Sequence, residues 1–234
     1  MTAVWEDPRV VAGGGRMLAE RQRRLRAGER PRGYKLAFGS SAAMSRLGLS
    51  GPLVGFFNDA NLLEDGAAVS IGGWARAALE PEIAVHLSED VPAGTSREGA
   101  ARAVGALAPA IELADVDPQL ADVEEILAGD LYQRHVVLGP ADPTRAGAET
   151  SGISASVLID GTEVAATDDP TAACGELVGL VQHTADVLQA FGERLRRGDV
   201  VIAGAVTPLV WPEPGQRATV RLPPLGELSI RFLE

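Results

Sequence analysis

A proline stands between two glutamates in Leu79-Glu80-Pro81-Glu82-Ile83, at the start of a stretch running to Leu87 whose composition is that of a β-strand. Residues at i and i+2 of an extended chain share a face, so both carboxylates project from one side of that strand. Pro81 has no amide hydrogen to give to a ladder, which places the piece at an edge or a bulge. Two adjacent carboxylates repel each other. A fold that keeps both ionised must bring a cation to them; otherwise one takes up a proton.

The segments around this strand mix two periods. Arg16 to Ala27 forms a basic, moderately amphipathic helix whose apolar points are Met17, Leu18 and Leu25, ended by Gly28 and soon followed by Pro31. Its arginines suit a solvated or subunit-facing surface. Between Gly33 and Gly73 short apolar runs are broken by Gly, Ser, Pro and Asp, the pattern of loops with short strands. Thr95-Ser-Arg-Glu98 is a capping box that opens a helix to about Leu107, and Ala108 to Ala114 is a buried strand. Ser154 to Leu158 and Glu163 to Ala166 flank Asp160-Gly161, a tight hairpin turn. After Pro170, Leu177, Leu180, Val181, Val187, Leu188, Phe191 and Leu195 recur at helical spacing until Gly198. Val200 to Ile202, Ala218 to Leu222 and Glu227 to Phe232 are strands, the last two a hairpin around Pro223, Pro224 and Gly226. No regular βαβ rhythm connects these pieces, so the expected class is α+β.

At 234 residues and 46% hydrophobic content the chain can bury a full core. Neither a repeat nor a long linker interrupts it. A single domain over 1–234 is expected, with 1–32 as an N-terminal helical extension. A formal charge of -11 gives no attraction to a phosphate backbone or an anionic membrane, which argues against nucleic-acid and membrane partners. One cysteine, Cys174, forms no intrachain disulfide and builds no zinc cluster. Residues 1–10 lack the basic-then-apolar pattern of a signal peptide, and no window approaches about 18 uninterrupted apolar residues. A cytoplasmic location is the expectation.

Glu112 lies in Ala108-Pro-Ala-Ile-Glu-Leu-Ala114, where its neighbours within two residues are apolar and burial is the natural outcome. A lone buried carboxylate is costly unless it is paired. Three carboxylates with no cysteine or histidine between them form a hard oxygen site suited to Mg²⁺ or Mn²⁺ rather than zinc. The alternative is an exposed strand face for Glu80 and Glu82 and an arginine partner for Glu112. Lys35, in Gly33-Tyr-Lys-Leu-Ala-Phe38, needs a snorkelling path or an anionic partner such as a substrate carboxylate; an edge strand with Lys35 on its solvent side would also accommodate it.

Taken in order, Gly33-Tyr-Lys35, Asp59 in Phe57-Asn-Asp-Ala60, Glu80-x-Glu82, Ile111-Glu-Leu113, Val137-Leu-Gly139, Gly204 to Thr207 and the terminal Leu225-Gly-Glu-Leu-Ser-Ile-Arg-Phe232 resemble the fumarylacetoacetate hydrolase superfamily. The likeness is strongest to its 2-keto-4-pentenoate hydratase and 4-oxalocrotonate decarboxylase branch, over roughly Gly33 to Phe232. It implies a mixed β-roll type fold with flanking helices, Mg²⁺ or Mn²⁺ on Glu80, Glu82 and Glu112, and a small 2-keto acid as substrate. It also implies a lyase, most simply a hydratase, with a decarboxylase or C-C bond hydrolase as alternatives and a non-catalytic metabolite-binding protein as another. Lys35 and Asp59 match family residues that face the substrate, with Lys35 binding the carboxylate or moving a proton and Asp59 acting as a base. Asp130, Gln133 and Thr207 join Lys35 as candidate substrate contacts. A homo-oligomer, dimer or larger, follows from the resemblance alone.

The chain departs from that pattern where Gly129-Asp-Leu-Tyr-Gln133 replaces an Asp-Asn-Ala-Ser-Ser-like stretch, and where Ala203-Gly-Ala-Val-Thr207 keeps only the threonine hydroxyl of a Ser-Gly-Ser-x-Thr end. Its N-terminal region is also shorter. His135 could replace a lost polar contact or be structural, His86 continues the Glu80 and Glu82 alternation, and His183 falls within the long helix. Gly13-Gly14-Gly15 has no following Lys-Ser or Lys-Thr and is no phosphate loop.

Overall fold

The structure is a computed structural model that describes residues 2–117, 119 and 122–234. In chain order its strands are β1 (Pro31–Ala37), β2 (Leu53–Asn58), β3 (Leu62–Leu63), β4 (Ala68–Ser70), β5 (Ala77–Leu87), β6 (Val104–Asp115), β7 (Gln133–Leu138), β8 (Ala155–Ile159), β9 (Thr162–Thr167), β10 (Val200–Ile202), β11 (Arg217–Leu222) and β12 (Gly226–Leu233). Its helices are α1 (Pro8–Arg26), α2 (Ser41–Leu47), α3 (Arg97–Ala103), α4 (Val123–Ala128), α5 (Thr171–Cys174) and α6 (Leu177–Ala190). The strands form a larger sheet of order β2-β1-β10-β5-β6-β7-β3 and a smaller one of order β4-β12-β11-β8-β9, the mixed α+β class expected. None of the described helices is long and apolar enough to cross a membrane.

The long antiparallel pair β5 and β6 forms the middle of the larger sheet, and its register sets Glu80 opposite Glu112 and Glu82 opposite Ala110. β1 runs parallel to β10 with Lys35 beside Ile202, and antiparallel to β2 with Lys35 opposite Gly55. Ile83, Leu107, Ile111, Leu113 and Phe232 are fully buried between these layers. Burying such side chains contributes about 1.5–3 kcal/mol each and holds the strands in register.

Pro81 is not at a sheet edge, because β5 is flanked by both β10 and β6. The ladder to β10 covers only Ala84 to His86. Beyond it, an irregular segment lies alongside β5: Val206 N–H donates to the Pro81 carbonyl at 2.9 Å, and Leu79 N–H donates to Val210 at 2.8 Å. The backbone of odd-numbered β5 residues faces this segment, so the absent amide of Pro81 interrupts no ladder.

α1 begins at Pro8 rather than at Arg16. Asp7 caps it by accepting from Arg9 N–H, and Pro8 occupies its first turn. Gly13-Gly14-Gly15 therefore lies inside a helix, for a tertiary reason. A Cβ at Gly13 would stand 2.5 Å from the Glu124 carbonyl oxygen of α4, and one at Gly14 would stand 2.6 Å from the Phe191 ring. The helix gives up about 1 kcal/mol of propensity at Gly13 and at Gly14 to let these neighbours approach, whereas a Cβ at Gly15 would meet nothing within 4 Å. Within the expected loop region 33–73 the chain also forms α2, capped by the Ser40 side chain. α3 starts one residue later than the expected box, because Ser96 rather than Thr95 is its cap, with the Ser96 hydroxyl accepting from Gly99 N–H, and it stops at Ala103, because Val104 already belongs to β6. α6 ends at Ala190, short of Leu195; Leu195 instead pairs with Val91 outside the helix, which satisfies the same apolar periodicity. The hairpins β8–β9 and β11–β12 form where the turn residues place them.

Candidate functional site

A cleft of about 980 Å³ opens over β1 and β5, with Lys35, Glu80 and Thr207 among its lining residues. Lys35, Glu82 and Glu112 are fully buried, and Glu80 is half-buried toward the cleft. The sheet makes this placement unavoidable. Period-two alternation sends Glu80 and Glu82 to one face of β5, Glu112 meets Glu80 across the β5–β6 pair, and β1 carries Lys35 to the same face.

The Lys35 ammonium donates to Glu112 Oε1 and, at 3.2 Å, to the Leu131 carbonyl. Glu82 Oε2 accepts from Gly204 N–H at 2.8 Å. That leaves Glu82 Oε1 and Glu112 Oε2 buried with no hydrogen-bond partner among the described residues. Burial, followed by the charge of Glu112, pushes Glu80 up to about 7. Burial, then the charges of Glu112 and Glu80, raises Glu82 well above the usual carboxylate range, against the Gly204 hydrogen bond. For Lys35, burial works against the charged form, but Glu112 and Glu80 outweigh it and its pKa is raised.

Two bare, buried carboxylate oxygens beside a third carboxylate fit a divalent cation that prefers oxygen ligands. Among the described residues no three His, Cys, Asp or Glu side chains are already drawn together at ligating distance. Lys35 holds one oxygen of Glu112, so the three carboxylates supply a donor set rather than a closed cage. Neither alternative from the sequence holds for the group as a whole: among the described residues Glu112 pairs with Lys35 and with no arginine, and Lys35 is not on a solvent-facing edge.

The other candidates divide. Thr207 is buried on the cleft wall, its hydroxyl donating to the Pro208 carbonyl at 3.0 Å. Asp130 stands beside Lys35 but does not line the cleft: Oδ1 accepts from Phe56 N–H at 3.0 Å, and burial pushes the carboxyl up to about 7. Gln133 is buried opposite Ala114, outside the cleft lining, with both amide atoms unpartnered among the described residues. Asp59 is separated from the site. It follows β2 beyond Asn58, which pairs with Pro31, four residues or about 13 Å along the strand from Lys35. Its carboxylate accepts from Arg30 N–H at 2.9 Å, which lowers its pKa and leaves it as a turn residue rather than a base.

Two features were hidden in the sequence. Asp130, Leu131 and Tyr132 are consecutive non-glycine residues at φ 54, 56 and 68, a left-handed turn that aims the Leu131 carbonyl at Lys35. Such residues cost roughly 1–3 kcal/mol each and persist only where surroundings fix them; here the Asp130 bond to Phe56 and the burial of Leu131 do so. Gly55 makes room for the turn, since a Cβ there would stand 2.7 Å from Asp130 Oδ1 and 3.2 Å from Lys35 Cγ. A glycine inside the apolar run Leu53 to Phe57 was the available signal of a close approach.

The histidines stay out of the cleft lining. His135 stacks on Trp74 at 6.2 Å, and His183 Nε2 lies 2.9 Å from the Pro52 carbonyl in the packing under α6. His86 continues along β5, its Nε2 buried without a partner among the described residues. Cys174 lines the cleft, yet burial pushes its thiol up to about 12, so it is inert near neutrality.

No family model matches the chain. Sequence comparison finds a 2-hydroxyhexa-2,4-dienoate hydratase of Comamonas testosteroni, 29% identical over 213 residues, spanning 89% of this chain and 80% of that protein. A 4-oxalocrotonate decarboxylase of a Pseudomonas species is 27% identical over 210 residues, spanning 88% and 80%. Among solved structures, 4-oxalocrotonate decarboxylase from Pseudomonas putida G7, complexed with magnesium and adipate, superposes with a TM-score of 0.85 at 22% identity, over 93% of this chain and 83% of that one.

Proposed function

From the chain's place in the fumarylacetoacetate hydrolase superfamily, among the 2-keto-4-pentenoate hydratases and 4-oxalocrotonate decarboxylases, we propose that it is a divalent-metal-dependent lyase acting on a small 2-keto acid or its dienol, in the manner of a hydratase. The observation that carries this reading is the pair of buried, unpartnered oxygens on Glu82 and Glu112 beside Glu80 and Lys35 at one cleft. Glu80, Glu82 and Glu112 would hold the ion, Mg²⁺ or Mn²⁺ by their oxygen chemistry. When bound there, the ion supplies Lewis-acid polarisation of a 2-oxo acid.

The protein's own groups do the rest. Lys35 presents an ammonium to the cleft, where it takes the substrate carboxylate or carries a proton. The Leu131 carbonyl and Glu112 hold that ammonium in place, and Asp130 holds the turn that presents the carbonyl. Thr207 offers the remaining hydroxyl on the cleft wall. Hydration needs a proton delivered to the carbon chain and water admitted at its far end, and a cleft of this size leaves room for both. Decarboxylation is the second reading, supported by the likeness to 4-oxalocrotonate decarboxylases.

Turnover of 2-hydroxypenta-2,4-dienoate, 4-oxalocrotonate, oxaloacetate and an acylpyruvate, with and without chelator, separates these chemistries. The expected result is turnover of one substrate that chelation abolishes and that Glu82→Ala and Lys35→Ala each lower by roughly 10²-fold or more. Mn²⁺ binding through Glu82 with all four substrates untouched would sink the reaction assignment. No Mn²⁺ binding at all would remove the metal site as well.

A further inference from the structure

Nine of the chain's 20 arginines, Arg24 and Arg134 among them, have a carboxylate within ion-pair distance. Arg76 does not have one among the described residues. Its guanidinium lies 3.6 Å from the centroid of the Trp211 ring instead, and both side chains line the same cleft as Lys35 and Glu80.

Arg76 directly precedes β5, and its carbonyl accepts from Val116 N–H at 2.9 Å, so the extended backbone of β5 continues through it. By the alternation of an extended chain, Arg76 falls on the same face as Glu80 and Glu82, four residues or about 13 Å along from Glu80. Trp211 is carried there by the segment that pairs with β5 through Leu79 and Val210. A planar guanidinium stacked on an indole is fixed in orientation while its N–H edge stays free for a carboxylate. The acids nearby are engaged by groups other than this guanidinium: Asp115 pairs with Arg134 and accepts from the backbone N–H groups of Ala75 and Arg76, and Asp117 accepts from Gln119 N–H. A guanidinium left without an acid, in a chain of net charge -11, faces the cleft at the far end from the carboxylate cluster.

We propose that Arg76, oriented by Trp211, is the specificity residue of this cleft and binds the distal carboxylate of a 2-oxo dicarboxylate. This rests on the reading of the cleft as a 2-keto acid site. It selects within that reading: the substrate carries a second carboxylate at the end remote from the oxo group.

Calorimetric titration of the Mg²⁺-loaded protein with 2-oxoadipate and 2-oxohexanoate tests the assignment without turnover, because the two probes differ in the terminal carboxylate and neither has an alkene. The expected result is that wild type binds 2-oxoadipate about tenfold or more tightly than 2-oxohexanoate. Arg76→Gln brings that ratio close to one, Arg76→Lys keeps part of it, and Trp211→Leu lowers it with the charge still present. Equal affinities in wild type would overturn the proposal while leaving the 2-keto acid site intact. A ratio preserved in Arg76→Gln would also overturn it and transfer the role to the other cleft-lining arginine, Arg46. Binding of neither probe would sink both the proposal and the site reading beneath it.

Discussion

β1 places a buried cation against each of its faces; among the described residues both sides leave buried polar atoms unpartnered, Arg21 Nε on one and carboxylate oxygens on the other, but the carboxylate side opens on the cleft. On one side Arg21 of α1 donates to the Tyr34 hydroxyl at 2.9 Å, lies 4.7 Å from the Tyr34 ring centroid and 5.5 Å from that of Phe56, and has Glu193 at 3.7 Å. On the other, Lys35 meets Glu112 and the Leu131 carbonyl, while the acids around it keep bare oxygens and a cleft opens beside it. Both are nearly inaccessible. Burial of charge alone therefore does not mark a site; unused ligand capacity next to an opening does. Arg21 ties α1 to the sheet, and the Lys35 cluster is a donor set waiting for a partner.

The largest test of that contrast is a pair of variants. Glu82→Gln keeps an acceptor for Gly204 N–H but removes the charge, and it should weaken divalent-ion binding on the order of 10²-fold while raising the metal-free unfolding midpoint in urea. Arg21→Met should do the reverse, costing about 1–3 kcal/mol of stability with ion affinity within about twofold. If both variants move both readouts together, the two faces are not distinct.

A smaller effect sharpens the same difference. Mg²⁺ or Mn²⁺ at about 100 times its Kd should stabilise the folded protein by about 2.7 kcal/mol, which for a chain of this length raises Tm by roughly 2–4 °C per kcal/mol. Scanning calorimetry should find this increment in Arg21→Met and not in Glu82→Gln.

The smallest effect concerns pH on the Arg21 side of the sheet. Burial lowers the pKa of His183 below the usual 6.5, against the Pro52 hydrogen bond, so the folded state holds it neutral. The unfolded chain protonates first as pH falls, so the stability due to a neutral His183 is complete above about pH 6.5 and is lost as pH drops toward the lower folded value. Urea midpoints measured between about pH 7 and pH 5 should fall less steeply in His183→Gln than in wild type. An unchanged slope would show that His183 does not carry this dependence.

The carboxylate cluster was legible because strand alternation is rigid: Glu80 and Glu82 had to share a face, and Glu112 stood among apolar residues that had to be buried. Asp59 misled because its role was carried over from the resemblance alone, when β2 carries it away from Lys35. The start of α1 was hidden by Gly13-Gly14-Gly15, of which Gly13 and Gly14 are explained by Glu124 and Phe191, residues remote in sequence. The end of α6 was hidden because Leu195 keeps the helical period while pairing with Val91. Arg76 carried no local signal at all, since its meaning lies in the stack on Trp211 and in the absence of an acid.

The left-handed turn at Asp130, Leu131 and Tyr132 has a consequence for how this protein would respond to selection. Glycine at half-buried Tyr132 would relieve backbone strain, since a positive φ costs it nothing, while giving up the ring contact with Phe38. A library sorted for heat resistance alone should therefore enrich glycine or asparagine in this turn. The same exchange loosens the carbonyl that steadies Lys35, so robustness and turnover should part company at this one bend of the chain.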